Sequence, residues 1–225
     1  MLVQIPNVLD AAQVQLFREE LGKAEWSDGR GSAGYLARKV KDNQQLPDDH
    51  PVGRKLAEIV LTALRGNELF TAAALPLKIV PPMFNRYDAM QTYGRHVDGS
   101  IRPLKGGMRV RTDLSATLFL SDPAEYDGGE LVIEDTFGVR RIKLAAGNMV
   151  LYPGTSVHSV NPITRGQRLA SFFWIQSMVR EDAKRVLLLE LDRAIQKIAR
   201  EMPQQSATTD LAGVYHNLLR LWADA

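Results

Sequence analysis

The chain has 225 residues, 45% of them hydrophobic, with 28 basic and 26 acidic side chains that leave a formal net charge of +2. That length suits one well-buried domain with an appendage, and the near-balanced charge exerts no long-range pull toward nucleic acid or an anionic membrane. Cysteine is absent, which excludes disulfides, thiolate metal sites, iron–sulfur clusters and thiol nucleophiles, so metal chemistry has to use histidine and carboxylate.

The start, Met1 to Asn7, lacks the basic residues, apolar core and cleavage site of a signal peptide, and no apolar run approaches a membrane span. The expectation is a cytoplasmic protein with no membrane partner. Asp10 followed by Gln13 reads as a capping box, and Val14, Phe17 and Leu21 give a helical stripe that Gly22 ends. The glycine-rich stretch Trp26 to Gln45 is expected to turn at Gly29, Gly31 and Gly34, with a short strand near Tyr35 to Val40. Asp48 and Asp49, before Pro51, should open a second helix with Val52, Leu56, Ile59, Val60 and Ala63 on its apolar face. Gly66 stops it, and Asn67 caps a short successor through Leu75.

From Pro76 the period changes. Leu77 to Val80, Met83 to Tyr87, Gln91 to Val97, Arg109 to Leu120, Glu130 to Glu134, Val139 to Leu144, Asn148 to Tyr152, Val157 to Val160 and Leu169 to Gln176 are short runs rich in β-branched and aromatic residues, punctuated by Gly, Pro, Asp and Asn. Many short strands without intervening helices predict an antiparallel sandwich or barrel such as a jelly roll, which holds a ligand in the mouth between its sheets. Beyond Ser177, Leu187, Leu188, Leu191, Ile195 and Ile198 form one helical stripe. Leu211, Val214, Tyr215, Leu218 and Trp222 form another, across a loop containing Pro203. This helical pair packs on the barrel or on itself, or provides a homodimer interface. The expected fold is α+β: N-terminal helices over 1–76, a β core over 77–178 and a helical extension over 179–225.

His96 and Asp98 stand two positions apart at the end of an aromatic-punctuated run. On an extended strand, positions i and i+2 share a face, so the pair can offer an imidazole nitrogen and a carboxylate oxygen to one ion. His158, on a predicted strand after the Pro153-Gly154 turn, is the third candidate ligand. Two histidines and one carboxylate form the facial triad that leaves open positions on a non-haem Fe(II), whereas a structural ion normally has its coordination closed by protein. For each histidine alone the competing reading is a hydrogen-bonded structural side chain. Arg168 follows His158 by ten residues; facing inward it needs an anionic partner, and its planar fork suits a carboxylate. A dicarboxylate chelating the metal at one end would meet Arg168 at the other, unless Arg168 lies on a solvated face. Between Asp98 and the next strand, Gly106 and Gly107 lie among Arg102, Lys105, Arg109 and Arg111, as either a mobile lid over an anionic substrate or a solvated hairpin. No basic stripe with interleaved aromatics points to nucleic acid.

With His96-x-Asp98, the distal His158 and Arg168 ten residues later, the sequence resembles the Fe(II)/2-oxoglutarate-dependent dioxygenases. Tyr87 and Tyr93, the Gly128-Gly129-Glu130-Leu131 turn-strand and Trp174 resemble the prolyl-4-hydroxylase branch. The likeness is closest to the bacterial PKHD-type hydroxylases, known as iron-uptake factors, and extends over nearly the whole chain. The resemblance implies a double-stranded β-helix (jelly roll, cupin-like) catalytic domain over 1–178. It further implies Fe(II) on His96, Asp98 and His158, 2-oxoglutarate held by Arg168 with Tyr87, Tyr93 and Trp174 about it, O2 as oxidant, and L-ascorbate to rescue oxidised iron. It implies hydroxylation of a substrate that is either a small molecule such as a siderophore or a protein prolyl residue, in the service of iron homeostasis. Relatives often carry Ser or Thr two after the arginine; here that position is Ala170, and Ser171 should face the other way. The alternative is a metal-binding sensor on the same barrel without turnover.

Overall fold

The computed structural model describes residues 1–135, 138–202 and 206–224, without the side chain of Lys105. The expected loop proline, Pro203, lies outside the described residues. The chain opens with β1 (Val3–Ile5) and α1 (Ala11–Gly22), then β2 (Ser27–Asp28), two 3-10 turns (Gly29–Ser32 and Ala37–Val40), β3 (Lys41–Asp42) and β4 (Gln44–Gln45). Helices α2 (Pro51–Arg65) and α3 (Glu68–Ala74) lead into β5 (Pro76–Ile79), β6 (Met83–Tyr87), β7 (Thr92–His96), β8 (Ile101–Pro103), β9 (Arg109–Arg111) and β10 (Leu114–Phe119). There follow β11 (Asp127–Gly128), β12 (Leu131–Asp135), β13 (Gly138–Ile142), β14 (Met149–Pro153), β15 (Val157–Val160), β16 (Ile163–Arg165) and β17 (Arg168–Ser177), before α4 (Asp182–Glu201) and α5 (Ala207–Trp222).

Two antiparallel sheets face each other as the strand pattern predicts. The larger runs β1-β14-β10-β17-β6-β4-β2, with β5 also on β17; the smaller runs β13-β12-β15-β7-β3. Their side chains sort with period two. On β17, Leu169, Phe173 and Ile175 join Phe84, Leu114, Ala116, Leu118, Met149 and Leu151 in the core that α1, α2 and α3 cover. The opposite face of the large sheet turns Tyr87, Phe119, Val150 and Tyr152 toward Leu131, Ile133 and Val160 of the small one. Each fully buried Leu or Phe is worth about 1.5–3 kcal/mol, so both faces of β17 are committed.

The helices are set by local chemistry. Asp10 and Gln13 form the reciprocal capping box of α1, with Gln13 N–H donating to Asp10 Oδ1 at 2.7 Å, and Val14, Phe17 and Leu21 are buried. The second helix is capped by His50, not Asp48 or Asp49: Pro51 occupies the first helical position, so the residue just before it caps, its Nδ1 accepting from Val52 N at 3.2 Å. The buried side of α2 is Leu56, Ala57, Val60 and Leu64.

The expected strand near Tyr35 to Val40 is instead a 3-10 turn, with Tyr35 and Leu36 exposed. The edge of β7 is already taken by β3, where Lys41 pairs with Tyr93, so residues 35–40 have no strand to join. The expected run Arg109 to Leu120 is split into β9 and β10 at Thr112-Asp113. There Asp113 binds Arg111 Nε at 2.6 Å and accepts from Ser177 N at 2.9 Å. On α4 the buried residues are Arg185, Leu188 and Leu189, while Leu187 is exposed. Tyr215, Leu218, Leu219 and Trp222 of α5 pack on Leu75, Val179 and Leu188, leaving Val214 exposed. On α4, Arg185 turns inward, donating to Val179 O at 2.7 Å and Arg180 O at 2.6 Å, whereas on α5 the expected Tyr215, Leu218 and Trp222 do pack. Among the described residues no helix is long and apolar enough to cross a membrane.

Candidate active site

Strands β7 and β15 are neighbours, and their register sets His96 directly opposite His158. Asp98 follows just past the end of β7. One donor atom from each of His96, Asp98 and His158 lies within 4.8 Å of the others: His96 Nε2 is 3.9 Å from Asp98 Oδ1, and His158 Nε2 is 3.7 Å from Asp98 Oδ2. Both imidazoles are oriented by their own strands. His96 Nδ1 lies 2.8 Å from Gly94 O and His158 Nδ1 3.0 Å from Ser156 O. A carbonyl only accepts, so each Nδ1 carries the hydrogen and each Nε2 keeps its lone pair toward the shared point. Burial, and then the neighbouring His158, hold His96 down at about 4, so it is neutral at physiological pH. Asp98 is fixed by Ser115 of β10, whose hydroxyl donates to Oδ2 at 2.7 Å. Two imidazoles and one carboxylate on a single point are a donor set that fits Fe(II).

A β-bulge shapes this end of β7. Tyr93 pairs with Val160 and His96 with His158, so two intervening residues on β7, Gly94 and Arg95, oppose one on β15, Ser159. The extra residue brings Tyr93 and His96 to one face, where their rings stack with centroids 3.6 Å apart and planes at 15°. Gly94, inside the bulge, lies so close to the Ala37–Val40 turn that a Cβ there would stand 2.8 Å from Val40 Cβ.

Along β17, the even positions face the cavity. Arg168 pairs with Tyr87, Phe172 with Thr117 and Trp174 with Ser115, all of which line a cavity of about 480 Å³ together with the His96, Asp98 and His158 cluster. Arg168 is 1% exposed. Its guanidinium lies 5.3 Å from the ring centres of both Tyr87 and Phe119, its Nε has no hydrogen-bond partner, and no carboxylate among the described residues reaches ion-pair distance. Burial pushes the Tyr87 and Tyr126 hydroxyls up, and Arg168 opposes that in both. Ser171 lies on the other face, opposite Phe84 and Leu118, and is fully buried.

The expected metal ligands His96, Asp98 and His158 and the expected cosubstrate residues Arg168, Tyr87, Tyr93 and Trp174 line this one cavity, at different stations. Tyr87 is beside Arg168; Tyr93 is on His96; Trp174 is six residues along β17 from Arg168, under the guanidinium of Arg102 at 4.9 Å. The basic segment after Asp98 is the hairpin β8–β9, with Arg102 paired to Val110. Sequence reasoning passed over Ser115, Thr117, Tyr152 and Lys41. Ser115 and Thr117 carried a signal, being polar at i and i+2 within the otherwise apolar β10. Tyr152 stands edge-on to His158 at 5.2 Å, and only the pairing of β14 with β10 reveals it.

Residues 182–224 match the PKHD-type hydroxylase C-terminal domain, and residues 82–176 match the 2OG-Fe(II) oxygenase superfamily. Over 225 residues, covering all of both chains, the sequence is 53% identical to the PKHD-type hydroxylase PiuC of Pseudomonas aeruginosa. The fold is similar to that of a Pseudomonas putida prolyl-4-hydroxylase, with a TM-score of 0.53 at 21% identity over 78% of this chain and 92% of that one. It is also similar to HygX from Streptomyces hygroscopicus with nickel, 2-oxoglutarate and hygromycin B bound, with a TM-score of 0.53 at 17% identity over 78% and 82% of the two chains.

Proposed function

Because the chain belongs to the PKHD-type hydroxylases of the 2OG-Fe(II) oxygenase superfamily, and so is a 2-oxoglutarate-dependent hydroxylase, we propose that His96, Asp98 and His158 hold its Fe(II) and that Arg168 anchors the far carboxylate of 2-oxoglutarate. The observation that carries this reading is Arg168: a guanidinium 1% exposed, without a carboxylate partner among the described residues, on the cavity wall that also bears the cluster's support, Ser115. A buried charge left uncompensated costs several kcal/mol, and a dicarboxylate bound through its other end to the metal supplies the counter-charge. The same feature disfavours a sensor of metal alone, which has no use for a dicarboxylate anchor.

Fe(II), 2-oxoglutarate and O2 together supply the chemistry: the cosubstrate is decarboxylated to succinate and one oxygen atom is placed on a substrate C–H bond. The protein's own residues orient and shield. The Nδ1–H bonds to Gly94 O and Ser156 O aim both imidazoles, and Ser115 holds the Asp98 carboxylate in its rotamer. Tyr87, Phe119 and Tyr152 pack around Arg168 and His158 and keep water from that end of the cavity. Tyr87, adjacent to Arg168 in register, provides the hydroxyl that Ala170 lacks, while Tyr93 positions His96 and Trp174 belongs to the substrate end. Ascorbate serves to re-reduce iron and needs no residue of its own. The cellular role is in iron homeostasis, as the resemblance to bacterial iron-uptake factors implies.

Anaerobic titration of the full-length chain with Fe(II) and 2-oxoglutarate tests this. A weak metal-to-ligand charge-transfer band and, on admitting air, succinate formation are expected. No band and no succinate would overturn it.

A further inference from the structure

The cavity holds a second cationic station at the end of β17 away from Arg168. Lys41, on β3 opposite Tyr93, is 3% exposed. Its ammonium donates to Ser32 Oγ at 2.8 Å and Gln45 Oε1 at 3.2 Å, and lies 5.2 Å from the Tyr93 ring centre and 5.6 Å from that of Phe172. Arg102, from the β8–β9 hairpin, donates to the backbone carbonyl of the same Ser32 at 3.0 Å and lies over Trp174. Two cations therefore converge on one residue. Neither has a carboxylate at ion-pair distance among the described residues. Burial, and then Arg102, pull Lys41 down to about 8, so the pair remains cationic at neutral pH and repels itself.

This station is too far from Arg168 for 2-oxoglutarate to serve both. Phe172 and Trp174 follow Arg168 by four and six residues on one extended strand, about 13 and 20 Å at about 3.3 Å per residue, beyond the span of a five-carbon diacid. The wall beside the cations is aromatic: Phe172 and Trp174 meet edge-to-face at 5.8 Å. The cavity rim is apolar and exposed at Tyr35, Leu36 and Ile101. A cationic pair set in aromatic and apolar surface recognises an acidic group attached to an apolar body.

We propose that Lys41 and Arg102 form the substrate-specificity site of this hydroxylase, clamping a carboxylate-class group of a small-molecule substrate whose apolar body lies on Phe172 and Trp174. The proposal rests on the Fe(II)/2-oxoglutarate reading above. It favours a small organic acid over a neutral prolyl peptide, because a peptide backbone offers the two cations no counter-charge.

The test uses the full-length chain, anaerobic, with Mn(II) as an inert stand-in for iron and saturating 2-oxoglutarate. Benzoate, phenylacetate, 3-phenylpropionate and 4-phenylbutyrate, and the primary amide of each, are titrated by calorimetry. At least one acid is expected to bind about tenfold or more tighter than its amide, the scale of one charge-assisted hydrogen bond. Lys41→Met and Arg102→Met should each remove most of that preference, and Lys41→Arg should keep it, with 2-oxoglutarate affinity held within about twofold of wild type in every variant. Arg102, partly exposed on a hairpin, decides the matter if Lys41→Met fails to fold. No acid preferred over its amide, a preference that survives both methionine variants, or a blocked Gly-Pro-Gly peptide binding tighter than every acid would overturn the proposal while leaving the iron site intact. Failure of 2-oxoglutarate itself to bind the Mn(II)-loaded wild type would overturn both readings.

Discussion

Tyr93 and His96 stack face to face at 3.6 Å although they stand three positions apart on one strand. An odd separation on a regular strand puts side chains on opposite faces, so the contact exists only because the bulge at Gly94 inserts a residue. The same glycine supplies the carbonyl that orients His96 and lies against Val40. One residue thus sets ring stacking, tautomer and the approach of the Ala37–Val40 turn.

Gly94→Ala should therefore act on metal affinity as well as on stability. Its Cβ would stand 2.8 Å from Val40 Cβ, an overpacking that costs about 1–3 kcal/mol. Thermal unfolding and Mn(II) titration should both show a loss, and Val40→Gly in the same chain, which removes the Cβ that the new methyl would meet, should recover most of the lost metal affinity. A double variant no better than the single one would rule the steric account out.

Arg168→Met should weaken 2-oxoglutarate binding by about 2–5 kcal/mol, roughly 30-fold or more, the cost of leaving a charged partner unpaired in a closed site. Mn(II) affinity without cosubstrate should change little, because Arg168 touches none of the three donors. Calorimetry with and without 2-oxoglutarate separates the two effects, and equal losses of both would refute the anchoring role.

Ser115→Ala removes the 2.7 Å hydrogen bond to Asp98 and should lower metal affinity about 10–100-fold while the fold persists. Ser115→Thr should keep the bond and most of the affinity. An alanine variant with unchanged Mn(II) binding would show that Asp98 needs no such support.

His96 gives the metal-free protein a pH dependence of known sign. Burial, and then His158, hold it at about 4, against about 6.5 in an unfolded chain. Between those values the unfolded chain binds a proton that the folded protein refuses, so stability falls as pH drops from about 6.5 toward 4 and is level above that window. The check is the wild-type minus His96→Asn difference in urea-unfolding free energy across pH. A difference that stays flat between 4 and 6.5 would contradict it.

The features that the sequence announced are those fixed by local chemistry. The Asp10–Gln13 capping box needs only four consecutive residues, and strand periodicity over residues 76–178 reads directly as a sandwich. His96, Asp98 and His158 could be grouped because few other residue types can hold iron in a chain without cysteine. What stayed hidden depends on pairing between distant residues. Lys41 faces the cavity because β3 pairs with β7, about fifty residues on, while its own surroundings read as a polar loop. Tyr152 and Ser115 become neighbours only through the β10–β14 pairing. Leu187 fits the helical stripe as well as Leu188 does, and the inward turn of Arg185, decided by carbonyls at the end of the sheet, leaves it in solvent.

The two-sidedness of β17 has a genetic consequence. Its odd positions hold the sheet to the helices, and its even positions furnish the cavity from Arg168 at one end to Trp174 at the other. A saturation library over 168–175, scored separately for cellular abundance and for turnover, should read as a barcode with a two-residue pitch. Substitutions at 169, 171, 173 and 175 deplete the protein itself, while those at 168, 172 and 174 leave abundant protein that no longer works. Variation that changes what the enzyme accepts without changing how much of it accumulates is therefore confined, on this strand, to alternate codons.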